Sequence, residues 1–332
     1  GATMAGGGSA GGGGTGGAGG TGGGSVKVQA TGTVTVDGTI SASGAASLPP
    51  YCGGGSGGGI SITCRLFQGG GLIQAAGGAG GTGGGAWDGG GGGGRIAVAY
   101  DAAVQASAPV PSVQFAVFPG TGTFRTGIRG TVYVPDTVLF RNGVFSGGGL
   151  RLVIPGATNW TTDHMVLSNS WLSFEPPMPI SITNDVLVSG SGARLDVFYY
   201  NLSCGGNLTI TNNGIVSVYS NPTNTVSPDY GTAVNVGGRL LVGAGARVYA
   251  YADATNGGTV LFSVKDLTVA AGGEINASSN GYIGVPDAKG LGPGGGLPST
   301  LSHVGSGGGY GGAGGPSSEA AGGITYGASN AP

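Results

Sequence analysis

The chain of 332 residues holds 81 glycines, 8% charged and 7% aromatic residues, and a formal charge of −2. With nine Arg, three Lys and no basic run, it has no electrostatic footprint for nucleic acid or an anionic membrane, and no apolar stretch reaches the roughly 18 residues of a membrane span. Glycine plus proline at roughly 30% is typical of disordered chains, yet Val, Ile and Leu recur at strand spacing, which predicts an ordered all-β protein.

Residues 1–104 read as a glycine-rich β-solenoid region. Forty glycines lie in the first 100 residues and eighteen in the last 52. Residues 1–24 lack both a basic start and an apolar run, so no signal peptide is expected and the chain reads as a mature or internal piece. Glycine runs lead into alternating strings, as in Gly22-Gly23-Gly24-Ser25-Val26-Lys27-Val28. Further strings are Val34-Thr35-Val36, Ile60-Ser61-Ile62-Thr63, Gly71-Leu72-Ile73-Gln74-Ala75 and Arg95-Ile96-Ala97-Val98-Ala99-Tyr100. Runs without side chains can form extended threefold helices of polyproline II type, and side by side they satisfy one another's amides, which predicts a packed glycine slab. Flexible exposed loops are the alternative. Cys52 and Cys64 flank a glycine run and a strand, so they either form a disulfide across adjacent passes or pack, like Cys204, as free thiols.

Residues 105–178 form a β-rich middle section, bounded by Pro109-Val110-Pro111 and Pro176-Pro177. Residues 179–280 carry a repeating phrase. It reads Asp185-Val186-Leu187-Val188, Asn207-Leu208-Thr209-Ile210, Arg239-Leu240-Leu241-Val242 and Asp266-Leu267-Thr268-Val269. Each is followed by a second string: Arg194-Leu195-Asp196-Val197, Ile215-Val216-Ser217-Val218, Arg247-Val248-Tyr249-Ala250 and Glu274-Ile275-Asn276-Ala277. The starts recur at roughly 22 to 32 residues, the period of solenoid coils. One short strand buries too little to offset its ordering entropy; stacked coils join their apolar positions into a continuous core. The paired phrase predicts a right-handed parallel β-helix with glycine or Asn-Gly at the corners. An antiparallel β-sandwich uses similar strings and is the alternative.

Residues 281–332 form a glycine-rich C-terminal segment. Gly53-Gly54-Gly55-Ser56-Gly57-Gly58-Gly59-Ile60-Ser61-Ile62, the run 89–94 with Arg95-Ile96-Ala97-Val98-Ala99-Tyr100, and Gly322-Gly323-Ile324-Thr325-Tyr326-Gly327 carry a likeness. They resemble the glycine-rich repeats of very large bacterial surface proteins with β-helical character. The resemblance covers about residues 1–100 and 305–332. It implies an extracellular or cell-surface structural or adhesive role without a known reaction. In such repeats the Tyr-Gly segment precedes the glycine-rich opening, whereas here it ends the chain. Joining Tyr326-Gly327-Ala328-Ser329-Asn330-Ala331-Pro332 to Gly1-Ala2-Thr3-Met4-Ala5 restores the order. This predicts one unit of a tandem array, or a subunit meeting copies of itself head-to-tail to form a fibre.

Signals for chemistry are sparse. His164 and His303 lack a ligand-spaced partner set, apart from Asp163 beside the first, so neither zinc nor a Ser-His-Asp arrangement is expected. Asp163, Glu175, Asp185 and Asp196 are the candidate carboxylates for a polysaccharide-active β-helix enzyme, but they are dispersed along the chain. Glycine fingerprints carry no weight in a chain this rich in glycine, and Trp87-Asp88 stands apart from any calcium-binding nonapeptide. No cofactor is expected. Asn159, Asn201, Asn207 and Asn276 sit in Asn-x-Ser/Thr triplets open to glycosylation. Tyr200, Tyr219 and Tyr249 are expected at corresponding coil positions, either as an exposed ladder for extracellular glycans or a neighbouring subunit, or as core filling. The leading expectation is a non-catalytic structural unit of a fibre or surface layer. A glycan-binding adhesin comes second and an enzyme third.

Overall fold

The computed structural model describes residues 6–15, 17–48, 51–81, 88–224, 229–299 and 304–327. Every pairing between its strands is parallel. Parallel pairing requires a crossover between partners, which stacked coils supply and antiparallel sandwich hairpins do not. A 13-stranded sheet runs from Ser25–Gln29 through Gly59–Thr63, Arg95–Ala99, Thr131–Tyr133, Gly149–Val153, Trp171–Phe174, Arg194–Phe198, Ile215–Tyr219 and Arg247–Tyr251 to Glu274–Asn276. A 9-stranded sheet forms the opposite wall, with Val144–Ser146, Met165–Ser168, Val186–Ser189, Leu208–Thr211, Thr232–Val242 and Val260–Val269 among its strands.

The repeated phrase is the register of this stack. Val186 pairs with Leu208, Leu208 with Leu240 and Leu240 with Leu267. The second strings align likewise: Arg194 with Ile215, Ile215 with Arg247 and Arg247 with Glu274. Because side chains alternate across a strand, the apolar positions fall into columns that cross the core. One is Leu150, Leu172, Leu195, Val216, Val248 and Ile275; its facing counterpart is Phe145, Leu167, Val188, Ile210, Val242 and Val269. Rings of Phe67, Phe115, Phe140, Phe145, Trp160 and Phe174 touch in sequence through the interior, with centroids 5.2–6.3 Å apart. Corners between paired strings turn through positive φ at Asn213, Gly245 and Gly272, where a larger side chain would be strained.

The long sheet continues through both proline-marked breaks. At the first sits the short helix Ala102–Ser107, started by Asp101, whose carboxylate accepts from Ala103 N and Val104 N. The helix places fully buried Gln105 against a two-stranded sheet of Thr33–Thr35 and Leu66–Gln68. Its amide accepts from Phe67 N at 2.9 Å and donates to Phe67 O at 3.0 Å, so a side chain completes the pairing at that edge. Among the described residues no helix is long and apolar enough to cross a membrane.

The glycine runs are ordered extensions of the coils. Runs 17–24, 52–58, 89–94 and 125–130 lead into successive strands of the long sheet, while 42–47, 75–81 and 117–121 return beside them. Within one run, successive N–H groups address three different neighbours. Gly54 and Gly57 donate to Gly89 and Gly92, Gly55 and Gly58 to Ala45 and Ala42, and Gly53 and Ser56 to Gly12 and Ser9. Adjacent runs are too close for side chains: a methyl on Gly55, Gly91 or Gly127 would overlap the carbonyl oxygen of Thr21, Gly55 or Gly91 respectively. At these positions glycine is required by packing.

The Cys52–Cys64 bridge is not formed. All three cysteines are buried free thiols. Cys52 Sγ donates to Gly17 O at 3.1 Å and accepts from Gly14 N at 3.2 Å, whereas Cys64 Sγ lies 3.8 Å from Ala99 O. The two cysteines belong to different neighbourhoods, one in the glycine layers and one in the strand core.

Candidate functional site

The chemically densest part of the molecule is the outer face of the long sheet around Asp196. Alternation sends Leu195 and Val197 into the core and turns Asp196 outward, yet Asp196 is only 3% exposed because neighbouring side chains cover it. Its Oδ2 accepts from Arg129 Nη2 at 2.8 Å and Trp171 Nε1 at 2.6 Å, and its Oδ1 from Arg194 Nε at 2.6 Å. Arg129 also donates to Leu150 O, Trp171 O and Ser173 Oγ. Both guanidinium groups lie over the Trp171 ring, at 3.8 and 4.8 Å.

Burial lowers the Arg129 pKa to about 10, with the Asp196 charge opposing part of the loss. Arg194 feels burial as well, but the charge and hydrogen bond of Asp196, with Tyr219 and Tyr251, carry it upward on balance. Tyr219 is pushed up to about 12, first by burial and then by the Asp196 charge. The carboxylate accepts from two guanidinium groups and an indole N–H. It serves as a structural hub that ties Arg129 to strands Trp171–Phe174 and Arg194–Phe198 of the long sheet.

An aromatic ladder flanks this hub. Phe198 stacks on Tyr219 with centroids 4.5 Å apart, and Tyr219 stacks on Tyr251 at 4.4 Å and 3° between planes. Register explains it, since Phe198 pairs with Tyr219 and Tyr219 with Tyr251. The expected ladder of Tyr200, Tyr219 and Tyr249 is therefore corrected to Phe198, Tyr219 and Tyr251. Tyr249 pairs with Ser217, two positions away, and Tyr200 follows the strand and is 45% exposed. Correspondence was legible in the phrase alignment; the two-residue slip arose from matching residue type ahead of strand position.

Of the remaining candidate carboxylates, Asp163 and Asp185 come to successive coil corners, and each is engaged by neighbouring groups. Asp163 accepts from Asn184 Nδ2 at 2.7 Å, Asp185 from Asn207 N at 2.6 Å, and Asn207 Oδ1 in turn from Arg239 N at 2.9 Å. These links tie one coil corner to the next. Glu175 pairs with Arg151. His164 lies 3.4 Å from Asp163 on the surface, and His303 falls outside the described residues. Among the described residues no group of three or more His, Cys, Asp or Glu could hold a metal ion.

The four glycosylation candidates differ in engagement. Asn159 is exposed and donates only to Thr161 Oγ1. Asn201 accepts from Ala233 N at 2.8 Å, Asn207 belongs to the corner ladder, and half-buried Asn276 bonds Glu274 and Ser278 N. Toward the N-terminal end, the same sheet face opens into a groove of about 800 Å³ lined by Gly8, Gly57, Ser61, Gly93, Tyr133 and Glu175 among others.

Every core column runs out at the last coil. Leu240, Val242 and Val248 are at most 1% exposed, while their register partners Leu267, Val269 and Ile275 are 52%, 44% and 36% exposed. Protein-family models, curated proteins and solved structures, compared in turn with this chain, yield no match.

Proposed function

We propose that this chain is a non-catalytic structural unit of an extracellular fibre or surface layer, joined to further copies head-to-tail or as a tandem repeat. The observation that carries the reading is the open last coil. Leu267, Val269 and Ile275 hold core positions with no coil over them, and solenoid ends are normally capped by polar faces. At the other end, among the described residues, Ser25–Gln29 pairs only with Gly59–Thr63 and presents a second unpaired edge of the same sheet. A strand that continues the parallel pairing joins one edge to the other, a heterologous contact that propagates when it does not close. The likeness of the glycine runs to bacterial surface repeats supports the extracellular placement.

Right-handed coiling and polyproline II geometry of the glycine runs belong to this proposal. Right-handed crossovers are the rule for parallel strands, and the three-neighbour hydrogen bonding suits a threefold helix. The Tyr326–Gly1 join itself extends into residues outside those described. Electron microscopy and sedimentation of the purified chain test the reading. Filaments growing with concentration are expected; a species that stays at 31.5 kDa at every concentration overturns it.

A glycan-binding adhesin is the second reading, supported by the Phe198–Tyr219–Tyr251 ladder with exposed Tyr199 and Tyr200 beside it. Saccharide binding by the monomer, lost in Tyr251→Ala, is its expected signature.

A further inference from the structure

Run 6–14 lies in a seat on the glycine layers. Its N–H groups at Gly8 and Gly11 donate to Gly23 O and Gly20 O, and its carbonyls at Ser9 and Gly12 accept from Ser56 N and Gly53 N. The register Ser25–Gly59–Arg95 repeats this seat one coil further on. Gly20 and Gly23 correspond there to Gly54 and Gly57, and Gly53 and Ser56 to Gly89 and Gly92. Among the described residues, the carbonyls of Gly54 and Gly57 accept no hydrogen bond and the N–H groups of Gly89 and Gly92 donate none. The groove of about 800 Å³ opens beside them, lined by Gly8, Ser56, Gly57 and Gly93. A methyl on Gly89 would meet nothing within 4 Å, and one on Gly92 only Ile128 O at 3.7 Å.

We infer that this second seat binds a glycine-rich run from a second copy of the chain, an inference that rests on the self-assembly reading above. The first seat shows what the occupant must be. Methyl groups on Gly8, Gly11 and Gly14 would run into carbonyls of the layer below, while Ser9, Ala10 and Thr15 keep their side chains. Glycine is demanded at every third position, Gly8, Gly11 and Gly14, against the layer below, and at Gly13 against Gly17 O of the run's own turn. The same spacing recurs at Gly305, Gly308 and Gly311, all exposed, where a methyl would meet at most Gly294 O at 3.6 Å. A second copy thus brings a free stripe of the required spacing, and the seat offers its backbone two donors and two acceptors in the pattern that already holds 6–14.

The test compares dilute and assembled protein by amide exchange, alongside sedimentation of two variants. Exchange at Gly89 and Gly92 is expected to slow by about tenfold or more on assembly, as for amides that acquire a hydrogen bond. Gly92→Leu fills the seat and Gly308→Val spoils the stripe, both at positions with room in the chain's own packing. Each is expected to weaken association by about tenfold or more, with the double variant no worse than either single one. Wild-type protein that never associates overturns the self-assembly reading itself. Wild-type protein that assembles with Gly89 and Gly92 exchange unchanged, or with both variants assembling equally well, overturns this seat and leaves that reading standing.

Discussion

Asp196, Arg129 and Arg194 show how a single outward position on a strand becomes buried. The residue scale is ruled here by pairing, because a buried carboxylate without its cations costs several kcal/mol. The cluster leaves a pH signature through Tyr219. Its folded pKa of about 12 exceeds the ordinary value near 10, so the neutral phenol is favoured by folding. That stability is fully present below about pH 10 and is lost as pH rises toward 12. Arg129, lowered to about 10, acts with the opposite sign, since losing its proton relieves burial of the charge. Tyr100, raised by burial and by its hydrogen bond to Asp136, adds to the alkaline loss. The urea midpoint is expected to fall between about pH 10 and 12, and to fall less steeply in Tyr219→Phe; parallel curves for the two proteins would remove Tyr219 from the account.

At the scale of elements, the glycine runs are interlocked layers whose tolerance differs from position to position, with Gly89 and Gly92 open in run 89–94 and the others closed. Gly91 faces Gly55 O with no room for a methyl, while Gly89, two residues away, faces open space. Gly91→Ala is expected to destabilise by about 1–3 kcal/mol or more through overpacking. Gly89→Ala should be neutral or stabilise by up to about 1 kcal/mol, through lower entropy of the unfolded chain. Urea unfolding of both variants separates an interlocked layer from a loose loop, which would treat the two positions alike. Alternating strings between glycine runs made this organisation legible in the sequence. Which glycines are packed and which are open was not legible, because that depends on a neighbouring run distant in sequence, as between Gly20 and Gly53 or Gly54 and Gly89.

For the molecule as a whole, apolar columns lengthen by one residue per coil and stop where stacking stops. Burying one Leu- or Val-sized side chain contributes about 1.5–3 kcal/mol, so three exposed core positions at one end favour a further coil. Leu267→Lys is expected to leave the monomer's urea midpoint nearly unchanged, because Leu267 is 52% exposed, while abolishing filaments seen by electron microscopy. Filaments of normal length from this variant would place the contact elsewhere.

The periodic strings and the glycine between them determined by themselves that the chain is an all-β protein of short recurring strands, since side-chain alternation and a recurring phrase are local properties. They also located the strands between 185 and 277 whose register continues the long columns. The parallel stacking that excludes a sandwich came from the tertiary structure. Tertiary structure alone decided that Cys52 and Cys64 lie apart and that Arg129 reaches Asp196 across 67 positions of sequence. Each depends on how many residues a coil spends in its excursions before returning to the sheet. That length changes from coil to coil, so stacking sets which distant residues meet.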